Sequence, residues 1–256
     1  MDKFRRKGQW HLIALYHVMR LSDFGREGIE RSGSYRFADH LYRNEPSGRG
    51  RFGRWLDRRL MDLPSAKAMR QRYFKVIETL GAELARRDGE IRVLTLPCGI
   101  PRDLSELAAR DPAAVKRICY TGMDLDPEVI DAAREHLQNI TLGSVDFLQG
   151  NALIGSSYPR ERFDFIASTG LGEFLNDEDL ARFYWHVFDA LEPGGLFFTS
   201  ATAYERKSDF LMKAFEMEAH YRDRERIEEI FRALPWSELN FELDPSGLQT
   251  FVRARK

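Results

Sequence analysis

The chain has 256 residues, of which 43% are hydrophobic and 12% aromatic, and this composition excludes a low-complexity disordered protein. No apolar run approaches the roughly 18 residues of a membrane span, and two cysteines are too few for a disulfide framework. The net charge of −1 divides unevenly, because residues 1–75 hold 18 Lys/Arg and 8 Asp/Glu, net +10, which leaves −11 for the remainder. Such asymmetry indicates either an anionic partner for the basic part or attraction between the two parts.

Residues 1–90 are predicted to form a helical, basic extension that caps the substrate site. Apolar residues at helical spacing from Trp10 to Leu21 predict one helix, and a second is predicted over 66–87. Between them lies a polar, Gly- and Arg-rich segment, 28–54, in which Pro46-Ser47-Gly48 indicates a turn.

Two features of the sequence concern cellular location. Basic residues at positions 5–7 precede an apolar stretch, but His17 interrupts that stretch and no small-residue cleavage site follows. A signal peptide is therefore not predicted. The only cysteines, Cys98 and Cys119, fit a reducing compartment, so we expect a cytoplasmic protein.

From residue 91 to residue 256, short β-rich runs alternate with helical segments, which indicates a parallel sheet covered on both faces. Residues 241–244 and 248–254 flank Pro245-Ser246-Gly247 and predict a β-hairpin, so the sheet should end on an antiparallel strand. Helices are predicted to begin near Pro101, at Pro127 and at Asp177. Strands are predicted over residues 91–96, 118–124, 145–149, 163–168 and 196–201.

Ligands of open α/β sheets bind beyond the carboxyl ends of the strands. Gly99, in the turn after the first strand, allows a ligand to approach the backbone closely. Asp124 ends the second strand, where a carboxylate can accept from both hydroxyls of a ribose, and the amide of Asn151 suits a base edge. These positions predict a site made of residues 97–104, 124–126, 150–153 and 168–174.

Five motifs follow one another over about two thirds of the chain, from Ile91 onward: LTLPCGIPRDL, GMDLDPEVIDAARE, FLQGNAL, FDFIASTGLGEFLNDEDL and LEPGG. Their order resembles that of class I S-adenosylmethionine-dependent methyltransferases. The resemblance implies a Rossmann-like, three-layer αβα fold with a seven-stranded mixed sheet whose last strand is antiparallel. It also implies S-adenosylmethionine as cofactor, S-adenosylhomocysteine as product, and no metal.

By the same resemblance, each strand end holds a different part of the cofactor. The turn after the first strand would hold the methionine part, the end of the second strand the ribose and the end of the third the adenine. The end of the fourth strand would lie near the sulfonium. In that order the residues are Pro97, Cys98, Gly99, Arg102 and Asp103; Asp124 and Leu125; Asn151 and Ala152; Ser168 and Gly170.

The sequence departs from the family pattern at the first and third strands. Thr95 replaces the acidic residue that commonly precedes the turn, and Pro97 and Pro101 stand where glycines are common. Asn151 replaces the more frequent aspartate. These departures put the strength of cofactor binding in question.

Methyl transfer to a hydroxyl or a protonated amine requires removal of a proton. Glu173, after the fourth strand, is the first candidate for a base or acceptor contact, and His220 with Tyr221 is the second. A solvated loop carboxylate is the alternative interpretation of Glu173, and a surface or core filler that of His220. Aromatic and polar side chains of the N-terminal part suit small-molecule recognition, and the predicted acceptor is an oxygen or nitrogen atom of a small molecule, anionic or lipid-like. The predicted acceptor-binding residues are Tyr35, Arg36, His40, Tyr42 and Arg72.

Three other functions share parts of this pattern. A nicotinamide oxidoreductase normally carries G-x-G-x-x-G after the first strand, whereas this turn has one glycine. A nucleic-acid methyltransferase would use the arginine cluster for phosphates, but Ser168-Thr169-Gly170-Leu171 does not match the Asp/Asn-Pro-Pro-aromatic motif of enzymes that methylate base amines. The third is a non-catalytic protein that binds the cofactor or lies on a membrane surface through its basic helices. The arginine cluster consists of Arg49, Arg51, Arg54, Arg58 and Arg59.

Overall fold

The computed structural model describes residues 16–30, 35–206, 209 and 219–256. The chain forms two compact units, of which the first comprises Met1–Arg70 and Lys207–Met217 and the second Gln71–Arg206 and Glu218–Lys256. Within the described ranges, no helix combines the length and the apolar content that crossing a bilayer requires.

In the described part of the first unit, all regular secondary structure is helical. Its core is a cluster of four buried residues, Phe24, Leu41, Met61 and Ala66. Residues 16–19 are helical, as predicted, whereas the earlier part of the predicted first helix, with Trp10, lies outside the described residues. The helices are α1 Asp23–Glu30, α2 Tyr35–Arg43, α3 Gly50–Met61 and α4 Pro64–Arg86, which continues into the second unit.

The segment 28–54 contains α2 and the start of α3, helices that its composition did not predict, and the predicted turn at Pro46-Ser47-Gly48 lies between them. Its glycines serve close packing. A Cβ on Gly53 would lie 2.2 Å from the carbonyl oxygen of Leu21, and a Cβ on Gly48 would lie 2.6 Å from the backbone of Gly53. These glycines are therefore present because backbone segments approach closely there. Composition alone does not distinguish this role of glycine from its role in turns.

Asp57, on the buried side of α3, organises the first unit as a hydrogen-bond acceptor. Its Oδ2 accepts from the backbone N–H groups of Ser47 at 2.9 Å and Gly48 at 2.6 Å. Its Oδ1 accepts from the Ser22 hydroxyl and from the N–H of Phe24 at 3.3 Å. Since the side chain is fully buried, it is the acceptor that satisfies these donors.

We expect Asp57→Ala to lower the free energy of unfolding by about 3 kcal/mol, since buried donors would lose their acceptor. Urea denaturation followed by circular dichroism measures this change. The matched control is Asp62→Ala, which removes a carboxylate that is 63% exposed and forms a surface ion pair with Lys67, and its effect should stay within about 0.5 kcal/mol. Equal effects of the two substitutions would contradict the assignment of Asp57 as an organising residue.

The second unit contains a seven-stranded mixed sheet in the order β3-β2-β1-β4-β5-β7-β6. Strands β1 to β5 are parallel, and β7 runs antiparallel to both of its neighbours, β5 and β6. The predicted Rossmann-like fold, a seven-stranded mixed sheet whose last strand along the chain is antiparallel, is confirmed. The strands are β1 Ile91–Thr95, β2 Ile118–Asp124, β3 Ser144–Gln149, β4 Phe163–Ser168, β5 Leu191–Thr202, β6 Glu238–Leu243 and β7 Gln249–Arg255.

Helices cover both faces of this sheet. On one face, side chains of α4 pack against the strands together with those of the helices after β1. On the other face, the helix after β4 and the helix before β6 contribute to a cluster that includes Phe183 and Phe231. The helices of this unit that follow α4 are α5 Arg102–Arg110, α6 Pro112–Val115, α7 Pro127–Leu137, α8 Asp177–Ala190 and α9 Arg224–Arg232.

The division between the units falls at Arg70, whereas the predicted domain boundary lies at residue 90. The reason is the packing of the second part of α4. Its residues Ile77 and Leu80 are each only 1% exposed, and they belong to the same hydrophobic cluster as side chains of β1. Residues 71–90 therefore belong to the unit of the sheet. The change from helix to strand at residue 91 marks a change of element within that unit.

Candidate active site

The turn after β1 lies at the carboxyl edge of the sheet and is tied to both neighbouring strands. The N–H of Leu96 donates to the carbonyl of Ala167 in β4 at 3.0 Å, and the N–H of Cys98 donates to that of Met123 in β2 at 2.9 Å. At Gly99, with φ +50°, a Cβ would find no atom within 4 Å. The backbone of the turn is thus fixed at its start and faces open space at its glycine.

The side chains of this turn divide into buried and accessible ones. Cys98 is 5% exposed, and burial raises the pKa of its thiol to about 12, so only its backbone is available to a ligand. Pro97 and Arg102 are partly exposed, and Asp103 is partly exposed as a residue although its carboxyl group is surrounded by protein atoms. Burial raises the pKa of the Asp103 carboxyl to about 6, although the N–H of Leu104 opposes this shift. Asp103 is therefore the titratable group of the turn near neutral pH.

Asp124 lies at the end of β2, beside this turn. Its Oδ2 accepts from the N–H of Gly99 at 3.4 Å, and its Oδ1 accepts from the N–H of Asp126 at 3.2 Å. Burial, with a smaller contribution from the charge of Asp126, raises the pKa of the Asp124 carboxyl. The next residue, Leu125, is 65% exposed and offers an apolar surface beside the carboxylate.

The loop after β3 is held against the end of β2, since the N–H of Gly150 donates to the carbonyl of Asp124 at 2.9 Å. Oδ1 of Asn151 accepts from the N–H of Leu153 at 2.9 Å, so its Nδ2 is the group directed to other partners. The carbonyl of Ala152 accepts from the hydroxyl of Tyr158 at 2.9 Å. Asn151 is therefore suited to donate to a base edge, rather than to both donate and accept.

The end of β4 combines a buried hydroxyl with a glycine. Ser168 is 1% exposed, and its hydroxyl has no hydrogen-bond partner among the described residues. Gly170 has φ +88°, and a Cβ there would lie 3.2 Å from Nη2 of Arg72. A glycine is required at this position both for its backbone conformation and for the approach of the guanidinium.

A buried polar network follows β4. Arg72, 3% exposed in α4, donates from Nη1 to Oε1 of Glu173 at 2.9 Å, and the Thr202 hydroxyl donates to the same oxygen. Gln249, at the start of β7, donates from Nε2 to the hydroxyl oxygen of Thr202 at 2.7 Å. Both bonds to Glu173 use Oε1, which leaves Oε2 without a partner among the described residues.

Arg222 joins the loop after β4 to the segment that follows β5. Its guanidinium donates to the carbonyls of Gly172 and Leu175 and pairs with Asp177 at 2.8 Å. The N–H of His220 donates to the Glu173 carbonyl at 2.7 Å, while the residue itself is exposed. The structure therefore brings His220 to Glu173 through its backbone.

Four predicted acceptor-binding residues lie on α2, in the first unit. Both ring nitrogens of His40 have partners within that unit, since Nδ1 contacts Glu27 at 3.0 Å and Nε2 contacts the carbonyl of Glu45 at 3.1 Å. The hydroxyl of Tyr35 accepts from Nε of Arg36 at 3.1 Å, and Tyr42 packs against the unit's core. Their part in acceptor binding stays a prediction. The ring edge of Tyr221 contacts Tyr204 in the second unit, with centroids 5.5 Å apart.

Thr202, Arg222 and Gln249 belong to the site but were not predicted from the sequence. Thr202 lies at the carboxyl end of a parallel strand. The rule that ligands bind beyond such strand ends, which selected Glu173, could therefore also have selected Thr202. Gln249 reaches the same edge from the beginning of an antiparallel strand, and Arg222 lies in no motif. Only the pairing of Thr202 with Gln249 across β5 and β7 shows that they meet.

Residues 93–195, from β1 into β5, match the sequence model described as "Methyltransferase domain". This segment contains the turn at Gly99, Asp124, Asn151 and the end of β4. Residues 93–195 therefore form a methyltransferase domain, and the strand order gives it a Rossmann-like fold. The motif order, the strand order and the family match agree on this assignment.

Several solved structures are similar to this chain in fold. A "possible exported protein" from Bordetella parapertussis has a TM-score of 0.82 at 22% identity and covers 96% of this chain and 87% of its own. The magnesium protoporphyrin IX methyltransferase from Synechocystis PCC 6803, solved with S-adenosylhomocysteine bound, has a TM-score of 0.57 at 12% identity, covering 90% of this chain and 97% of its own.

A similar curated protein is the uncharacterized protein YnbC of Escherichia coli K12, 26% identical over 166 residues. The match covers 62% of this chain and 28% of YnbC, so this chain corresponds to less than a third of that relative's length.

Proposed function

We propose that this protein transfers a methyl group from S-adenosylmethionine to an oxygen or nitrogen atom of a small molecule. The observation that carries the proposal is the half-buried carboxylate of Asp124 at the end of β2, bonded at 3.4 Å to the N–H of Gly99 in a turn that faces open space. A carboxylate beside an open backbone turn suits a ribose diol whose other substituents extend along the strand ends.

The residues around Asp124 fit the parts of this cofactor. Leu125, 65% exposed, would be covered by the adenosine, and Nδ2 of Asn151 would donate to the adenine edge. Asp103 would face the ammonium group of the methionine part. The residue composition of the turn differs from the glycine-rich family pattern, but the backbone at Gly99 has the open space that close approach requires.

The pKa of Asp103 gives a prediction for cofactor binding. An ammonium group beside this carboxyl lowers its pKa from about 6, so binding should release about half a proton at pH 6. Because the ionised form binds better, affinity should rise as pH increases from about 5 to 7. Calorimetry in two buffers of different ionisation enthalpy measures the released proton. Asp103→Asn should abolish the release, and an unchanged release in that variant would contradict this role of Asp103.

The acceptor side is formed by the network around Glu173. S-adenosylmethionine supplies a methyl group already activated by its sulfonium, so the chain has to place the acceptor and take up its proton. Oε1 of Glu173 is held by Arg72 and Thr202, which fixes the carboxylate and directs Oε2 to a hydroxyl or a protonated amine. The buried thiol of Cys98, whose pKa is raised to about 12, does not suit thiolate-dependent carbon methylation.

Transfer of an isotope-labelled methyl group tests the proposed function. The full chain is incubated with labelled S-adenosylmethionine and panels of hydroxy acids, phenols, amines and acyl lipids, and products are detected by mass spectrometry. We expect a labelled O-methyl or N-methyl product, formed only with intact protein. Label found instead in single-stranded RNA, or on carbon, would overturn the proposed acceptor class.

A further inference from the structure

Helix α3 presents one continuous face of arginine and aromatic side chains to solvent. At 3.6 residues per turn, its exposed side chains occupy an arc of about 160°. Phe52 is 52% exposed and Trp55 48% exposed, although residues of this size are usually covered. The opposite side holds Gly53, Asp57 and Met61 in the core of the first unit. The face, called here the α3 face, consists of Arg51, Phe52, Arg54, Trp55, Arg58 and Arg59.

The charge of the α3 face is not neutralised within the part of the chain that the structure describes. Its four arginines, and Arg49 just before the helix, form no ion pair with a described carboxylate. The acidic residue of the helix, Asp57, is buried on its other side. The next one, Asp62, is already paired with Lys67 at 3.1 Å. The face is therefore complementary to an anionic surface.

The arrangement of the aromatic rings indicates which anionic partner, a nucleic acid or a membrane, suits the α3 face. The rings of Phe52 and Trp55 stack on each other with centroids 5.6 Å apart and planes at 27°, and the guanidinium of Arg59 lies 5.7 Å from the Trp55 centroid. Nucleic-acid sites leave ring faces open for bases to stack on. Here the rings form one apolar ridge flanked by arginines, an arrangement typical of helices that lie in a bilayer interface.

We propose that the α3 face docks the protein on membranes that contain anionic phospholipids. Arginines would contact the headgroup phosphates, while Phe52 and Trp55 would enter the boundary between headgroups and acyl chains. This docking goes beyond the proposed methyl transfer, because none of the α3 residues belongs to the candidate active site.

Vesicle flotation of the full chain tests this docking. One set of vesicles contains equal amounts of phosphatidylglycerol and phosphatidylcholine, and the other contains phosphatidylcholine alone. We expect binding to the first set only, weakening as salt rises. Arg54→Gln/Arg58→Gln should lower the partition coefficient about 30-fold, since each arginine near an anionic surface contributes about fivefold. Trp55→Ser should lower it further and remove the blue shift of tryptophan fluorescence on binding.

Matched controls remove the same groups from the second unit. Arg110→Gln/Arg134→Gln deletes two exposed arginines, and Trp185→Ser deletes a tryptophan that is 55% exposed. Both controls should keep vesicle binding within about twofold of the original chain.

The docking proposal is overturned if the full chain does not float with anionic vesicles, or if the control pair lowers binding as much as the α3 pair. It is also overturned if a single-stranded RNA oligonucleotide binds more tightly than vesicles and Trp55→Ser abolishes that binding. Calorimetry with S-adenosylmethionine reports on the methyltransferase separately, so failure of one proposal is distinguishable from failure of the other.

Discussion

Replacing Asp124 with alanine is expected to weaken binding of S-adenosylmethionine at least 100-fold. The proposed carboxylate–ribose contact consists of two charge-assisted hydrogen bonds, and losing both costs about 3 kcal/mol. S-adenosylhomocysteine should lose affinity by the same factor, because the two molecules share the ribose. Isothermal titration calorimetry with both ligands measures the two losses.

Unfolding does not account for such a loss. Burial raises the pKa of Asp124, so the ionised carboxylate lowers the stability of the folded protein at neutral pH, and its removal should not unfold the chain. The matched control is Asp131→Ala on α7, which removes a carboxylate that is 77% exposed. We expect the control to bind both ligands as the original chain does. Equal affinities of the Asp124→Ala variant and the control would contradict the assigned site.

Glu173→Gln is expected to lower kcat for the acceptor identified by labelling at least 100-fold, the effect of removing a positioned base. The same substitution removes the Glu173 carboxylate from the buried Arg72 and should lower the free energy of unfolding by about 3 kcal/mol. The double variant Arg72→Met/Glu173→Gln removes both charges, and we expect it to recover about 2 kcal/mol of that loss. It should not recover kcat, which separates the proposed catalytic contact from a structural one.

The exposed pair Arg182 and Glu178 provides the control for this double-mutant cycle. Their side chains are 49% and 84% exposed, so their coupling energy should lie below about 0.5 kcal/mol. Urea denaturation of both cycles, with kcat for each variant, gives the comparison. Recovery of kcat in the double variant would contradict a direct contact between Glu173 and the acceptor. Coupling as small as that of the exposed pair would contradict the buried network.

The sheet could be predicted from the sequence because each of its strands carries a local signal. Residues 118–124 and 163–168 are strands with the predicted bounds, and Asp126 caps α7 as a residue before Pro127 should. Because ligands bind beyond the carboxyl ends of parallel strands, Asp124 and the turn at Gly99 were predicted to lie together, and in the structure a hydrogen bond connects them. Local pattern and fold topology together were sufficient for this half of the site.

The remaining parts depend on contacts between distant residues. Arg72 meets Glu173 across 101 positions of sequence, and Thr202 meets Gln249 only because β7 is antiparallel to β5. Helix α2 was missed because its polar surface resembles a loop, while the burial of Leu41 that stabilises it is decided by other helices. Helix α9 is equally charged, and only Ile227, Ile230 and Phe231 are buried in it. In such segments tertiary packing outweighs local propensity.

A crystal structure of the full chain with S-adenosylhomocysteine tests the central claim most directly. We predict the ribose hydroxyls within hydrogen-bond distance of Asp124, the amino acid part along residues 97–103, and the sulfur next to Gly170 and Oε2 of Glu173. Binding of the ligand away from the carboxyl ends of β1 and β2, or strand ends that stay empty at saturating ligand, would contradict the account.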